Sequence, residues 1–237
     1  MSSWTNDFGQ PVGFPVPDWT PRALPPRTAM TGRYCRVEPV SVELHAADLY
    51  AAYSEAPDGR DWTYLPTELP ADLATYRDFL TRAAADRERL HHAIIDLATG
   101  RAVGTAALMR ADPANGAIEV GYITYSPLLK RTRVGTEAMY LMMRRVFDEL
   151  GYRRYEWKCD SLNAASRSAA ERFGFRFEGV FRRAVVYKGR NRDTAWLSII
   201  DSEWPALRAG FEQWLAAENF DAGGRQRKGL AEIRGAM

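Results

Sequence analysis

The amino-acid sequence predicts an α/β (α+β) domain: a mostly antiparallel, mixed sheet of about seven strands flanked by helices. Three observations predict it. Apolar runs of strand length recur along the chain, several of them in succession. Helical periodicity interrupts them over residues 71–87, 134–150, 163–173 and 203–218. Neighbouring strands meet at Thr99-Gly100, at Asn115-Gly116 and at the Lys188 to Asn191 turn, all suited to antiparallel hairpins.

The elements follow in order. Residues 1–32 carry Pro11, Pro15, Pro17, Pro21, Pro25 and Pro26 among Trp4, Phe8, Phe14 and Trp19. Proline at that density forbids a helix, and the aromatics predict an extended arm lying across the domain or a partner subunit. A single domain is expected over 33–218. It opens with the strand YCRVEPV and a short helix, HAADLYAAYS, led by Ser41 to His45. A loop, DGRDWTYLPTELP, precedes a helix with Leu73, Tyr76, Phe79 and Leu80 on one face. Three strands come next: HHAIIDLATG, RAVGTAALMRAD and AIEVGYITYS. The helix from Val134 to Leu150 has Ala138, Leu141, Met142, Val146 and Leu150 along a core-facing stripe, with its methionines read as packing. The strand RRYEWKCDSL leads to Asn163, an N-cap residue, and a helix that Gly174 terminates. Two strands close the sheet, and a basic tail, 219–237, is expected to be loosely held.

Composition excludes several function classes. A net charge of +2 gives no reason to expect a nucleic-acid or membrane partner. Cys35 and Cys159 are far apart, and His91-His92 has no acidic or cysteine companions, so no metal is expected. Two cysteines without a pairing pattern fit a reducing, cytoplasmic setting. No apolar leader is visible, and no run approaches the roughly 20 apolar residues of a spanning helix.

One stretch carries chemistry. In EVGYITYSPLLKRTRVGT (Glu119 to Thr136) an apolar strand ends at Tyr125, and a basic turn with Lys130, Arg131 and Arg133 feeds a helix opening near Val134. Free amides and the positive end of a helix dipole at such a turn favour a phosphate or diphosphate. The other reading of Arg131 and Arg133 is solvated surface charge.

This strand-turn-helix, followed by NAASRSAAERFGF, resembles the Gcn5-related N-acetyltransferase superfamily, and more narrowly its ribosomal-protein N-terminal acetyltransferase branch. The phrases GQPVG near residue 9 and YKGRNRDTAW are similar to a bacterial and fungal subgroup. The resemblance spans about Arg33 to Trp204 and implies that superfamily's fold. It also implies acetyl transfer from acetyl-CoA to a primary amine, a small metabolite or a protein N-terminus, by direct transfer in a ternary complex. The family turn reads Gln or Arg, two residues, Gly, one residue, Gly or Ala. Here Lys130 takes the first position, Arg133 replaces the first glycine and Gly135 keeps the last. The resemblance assigns diphosphate contact to Lys130, Arg131, Arg133, Val134, Gly135 and Thr136. It assigns pantetheine contact to the backbones of Ile123 and Tyr125 and to Asn163.

Making a free amine at pH 7 costs about 4–5 kcal/mol, so a base is the main requirement. Glu119, expected to share a strand face with Gly121 and Ile123 and to be desolvated by Ile118 and Val120, is the candidate; the other reading is a solvent-facing glutamate or an arginine's structural partner. The tyrosine acid common among relatives is Ala170 here, which leaves Ser166 as acid or as a helix-start hydrogen bonder. Asp61, Trp62, Tyr64 and Glu68 are expected to form an acceptor wall, since acidic and aromatic groups suit a cation. A coenzyme A-binding module without catalysis is the alternative, and the aromatic arm makes a homodimer an expectation.

Overall fold

A computed structural model describes residues 4–235; residues 1–3 and 236–237, the extremes of the arm and tail, lie outside the described residues. The arm holds a small hairpin, β1 (Trp4–Thr5) and β2 (Pro11–Val12), and then β3 (Met30–Thr31). β4 (Cys35–Pro39) and the helices α1 (Val42–Ser54) and α2 (Leu73–Ala85) follow. Next come β5 (Arg89–Asp96), β6 (Arg101–Asp112), β7 (Ala117–Tyr125) and α3 (Arg133–Arg144). The chain ends with β8 (Arg154–Asp160), α4 (Ala164–Phe173), β9 (Arg176–Tyr187), β10 (Arg190–Ile200), α5 (Trp204–Leu215) and α6 (Leu230–Gly235).

Eight strands form the main sheet in the order β3-β4-β5-β6-β7-β8-β10-β9. Every pairing is antiparallel except β7 with β8. The strand beyond the expected seven is β3, whose Met30 and Thr31 turn back through Gly32 onto Val37 and Arg36. Alternation along β5 sorts side chains to opposite faces. Ile94 joins the α3, α4 and α5 core, whereas Ala93 and Ile95 pack beneath α1 and α2. Helices therefore cover both faces.

Local chemistry sets the helix starts. Ser41, Asp72, Thr132 and Asn163 each accept a backbone N–H of their own first turn. α3 departs from the expected stripe, because every residue from Gly135 to Met143 is buried. The sheet covers one side, and α5 covers the other through Tyr140 stacked against Trp204 and Phe211. Past Arg144 the helix widens into a π turn, Arg145–Glu149, that aims Asp148 at Trp204 Nε1, 2.6 Å away.

Parts of both terminal segments pack on the domain. Trp19 Nε1 donates to the Ala114 carbonyl at 2.8 Å, Arg145 Nη2 donates to the Ala29 carbonyl, and Tyr152 OH donates to the Ala23 carbonyl. The tail, expected to be loose, is held: Leu230 and Ile233 are buried, and Trp214 Nε1 donates to Gln226 Oε1 at 3.0 Å. Leu230 and Ile233, spaced three apart on α6, both join the core.

Candidate active site

β7 and β8 pair only from Ala117 opposite Arg154 to Val120 opposite Trp157. Beyond that point they diverge. A bulge on β7 marks the divergence, with Tyr122 in the left-handed region at φ +49. Such a conformation costs a non-glycine residue about 1–3 kcal/mol and gathers at functional sites. The opened split leads into a chamber of about 2320 Å³ lined by Gly121 to Tyr125, Trp157 to Asp160, the starts of α3 and α4, the Thr63 to Pro66 loop and part of the C-terminal segment.

The bulge corrects one expectation. Across it the register runs from Gly121 opposite Ala107 to Thr124 opposite Thr105, so the period slips by one residue. Glu119, Gly121 and Thr124 share a face, while Ile123 and Tyr125 turn to the α3 side and pack on its core. Their backbones still line the split.

At the turn, Thr132 Oγ1 accepts the Gly135 N–H at 3.1 Å, and the Lys130 N–H binds the Ser126 carbonyl. The amides of Arg131, Arg133 and Val134 have no backbone partner among the described residues. Strain falls on Arg131, at φ +60, and not on Arg133, which is the first helical residue. A Cβ on Gly135 would lie 2.9 Å from the Leu129 carbonyl and 3.0 Å from Tyr125 Cε2. Lys130 pairs with Asp61, and the Arg133 guanidinium stacks on Tyr34 and Phe220, 4.5 and 5.7 Å from their centroids. Thr136 Oγ1 accepts from Arg172 Nη1 at 3.2 Å. Arg172, missed in the sequence, lines the chamber with no ion-pair partner among the described residues. Burial first, and the like charge of Arg234 second, hold its guanidinium below the usual value. A turn with free amides and unpaired guanidiniums fits a diphosphate.

Glu119 is buried, but not against apolar neighbours alone: Arg110 Nη1 and Lys158 Nζ both reach its Oε2, each at 2.9 Å. Lys158 also contacts Glu156 at 2.7 Å, and Arg154 ties Glu156 to Glu178. Opposed by burial, the Arg154 and Lys158 contacts still hold the Glu156 carboxyl below its ordinary value. This row was legible in RYEWKCD, where charge alternates in sign at period two.

Asn163 caps α4 through the Ser166 N–H at 3.0 Å, and both residues line the chamber. Ser166 makes no helix-start bond with its hydroxyl; its Oγ accepts the Trp157 indole N–H at 2.9 Å. Ala170 is fully buried in the core. The expected acceptor wall is only partly assembled. Tyr64 lines the chamber, and its hydroxyl donates to the Leu162 carbonyl. Trp62 is instead buried edge-on against Tyr53, because its indole completes the α1–α2 core. Glu68 is absent from the lining and binds Lys188, and Asp61 is already neutralised by Lys130. A cation box does not form. Burial pushes both the Cys159 thiol and the Cys35 thiol up, so neither is poised as a nucleophile. No metal-holding cluster occurs among the described residues.

The sequence and fold match known proteins. A model of the acetyltransferase (GNAT) domain matches residues 36–176. A GCN5-related N-acetyltransferase from Brucella melitensis is 50% identical, covering 93% of this chain and 100% of that one, with a TM-score of 0.91. A structure described as "probable acetyltransferases (GNAT family)" from Chromobacterium violaceum ATCC 12472 is 37% identical over 83% of this chain and 98% of its own, at 0.76. The Microcin C7 self immunity acetyltransferase MccE, solved with acetyl-CoA and AMP, shares the fold at 18% identity over 71% of this chain and 93% of its own, at 0.60. Split strands, a free-amide turn at a helix start and these matches lead to one statement: the chain belongs to the GNAT acetyltransferase family and is an acyltransferase.

Proposed function

We propose that the protein transfers an acetyl group from acetyl-CoA to a primary amine, a small metabolite or a peptide N-terminus, by direct attack in a ternary complex. The observation that carries this reading is the continuous chamber joining the Arg131 to Thr136 turn to Glu119 through the split between β7 and β8. Arg131, Arg133 and Arg172, with the free amides, would hold the diphosphate. The freed edges of Ile123 and Tyr125 would pair with pantetheine amides as a neighbouring strand does. Acetyl-CoA supplies an activated thioester carbonyl to the nitrogen.

Glu119 takes the proton of the attacking ammonium, directly or through water, and its unengaged Oε1 is the receiving atom. The nitrogen–carbon bond forms, the carbon–sulfur bond breaks and coenzyme A leaves as a thiol. The leaving thiolate, with a reference pKa of about 8.5, needs little help from an acid. Ser166, with its acceptor side taken by Trp157, retains a hydroxyl proton to offer the sulfur.

Calorimetry with acetyl-CoA followed by acetylation assays on a panel of small amines and peptides tests the reading. Binding in the micromolar range and acetylation of at least one amine are expected. Tight binding without transfer to any amine returns the non-catalytic alternative, and no binding rejects both.

A further inference from the structure

We propose that Lys158 is a positioning residue for the transfer: its ammonium holds the Glu119 carboxylate by Oε2 and turns it so that Oε1 alone faces the chamber. This rests on the reading of Glu119 as the base.

Three strands fix the arrangement. Glu119 lies opposite Glu156 across β7 and β8, and Lys158 lies opposite Trp196 across β8 and β10. Lys158 is the first residue of β8 past the last β7 pairing, so it stands at the mouth of the split. Its Nζ lies 2.9 Å from Glu119 Oε2, 2.7 Å from Glu156 Oε2 and 3.7 Å from the Trp196 ring centroid. Its side chain is 8% exposed.

The surrounding charges make the assignment specific. From β6, Arg110 reaches the same Glu119 oxygen, although its side chain is 59% exposed. Glu156 divides its contacts between Lys158 and Arg154, and Arg154 continues to Glu178 on β9 and Ser198 on β10. Farther along β8, Asp160 is occupied by the Leu162 N–H and the Tyr187 hydroxyl, and Arg192 on β10 binds Thr194. Both cations on Glu119 thus converge on Oε2, and Oε1 has no hydrogen-bond partner among the described residues. A carboxylate tied to its cations through one oxygen leaves the other free to accept a proton. Buried beneath Trp196, Lys158 is screened by salt far less than Arg110. It therefore carries most of the effect.

The test pairs single-turnover acetylation with calorimetry. In Lys158→Met the acetylation rate constant is expected to fall by roughly 10–100-fold with acetyl-CoA affinity within about twofold, and Lys158→Arg to restore most of the loss. A rate constant that does not move in Lys158→Met overturns the proposal. Should circular dichroism show Lys158→Met unfolded, Lys158→Gln carries the same prediction. In the wild type, the Lys158 Nζ–H signal should exchange slowly and be lost in Glu119→Gln; fast exchange also overturns the proposal. Absence of acetyl-CoA binding by calorimetry would refute the function, and the Lys158 Nζ–H signal, read without acetyl-CoA, would still decide the proposal.

Discussion

The two ends of the chamber handle charge in opposite ways. At the turn, Arg131, Arg133 and Arg172 make no ion pair among the described residues; Arg131 is exposed, and the other two rest on aromatic rings or a hydroxyl. At the split, Arg110, Lys158 and Arg154 are all matched by Glu119, Glu156 and Glu178. Cations left without partners invite an anion from outside, whereas a closed row of ion pairs holds its own members in place. On this reading one end binds by charge and the other orients a reacting group.

The largest expected effect lies at the split. Glu119→Gln should lower the acetylation rate by roughly 10²–10⁴-fold while leaving acetyl-CoA affinity within about twofold, as rate assays and calorimetry would show. Retention of more than about a tenth of the rate removes the base role. At the turn the pattern should reverse. Arg172→Gln is expected to weaken acetyl-CoA binding by about 10–100-fold, equivalent to about 1.5–3 kcal/mol, with the saturated rate preserved. A dissociation constant unchanged by calorimetry would place the phosphates elsewhere.

A third effect belongs to neither end and bounds the pH range in which the two can be compared. Burial drives His91 down to about 4 and His92 down to about 3, and both His92 ring nitrogens lack partners. These imidazoles are neutral in the fold, so their contribution is complete above the unfolded value near 6.5 and is lost as pH falls towards 4 and then 3. Melting temperature should drop by several degrees between pH 6.5 and 4.5, and His92→Phe should flatten part of that slope; an unchanged slope would assign the acid loss to other groups. The smallest effect is at the junction. Lys130 and Asp61 have side chains 42% and 29% exposed, so Lys130→Ala should change acetyl-CoA affinity by less than about fivefold, in line with an exposed pair worth under about 1 kcal/mol. A larger loss would make Lys130 a phosphate ligand and extend the open end past the turn.

Much of the architecture was legible because its signals are local. Hairpin dipeptides, the cap at Asn163 and the Gly174 stop each act within a few residues, and each sits where expected. The chamber was less legible because its residues meet across strands. Nothing near Glu119 in sequence announces Lys158, 39 positions on, and the Tyr122 bulge that shifts the β7 phase is marked only by Gly121 inside the strand. Trp62 misled for a related reason: an aromatic beside acids reads as a binding wall until the α1–α2 layer claims it. Composition cannot distinguish those two fates.

Gly135 has a consequence for how such chains are recognised. The Leu129 carbonyl and the Tyr125 ring leave no room for a methyl group there, so the residue is required to seat α3 on its preceding loop whatever the loop later holds. A descendant that had abandoned thioester chemistry would keep this glycine simply to fold. Arg172 and Glu119 are under no such obligation. Their fate in a lineage is the better record of whether the catalyst survives.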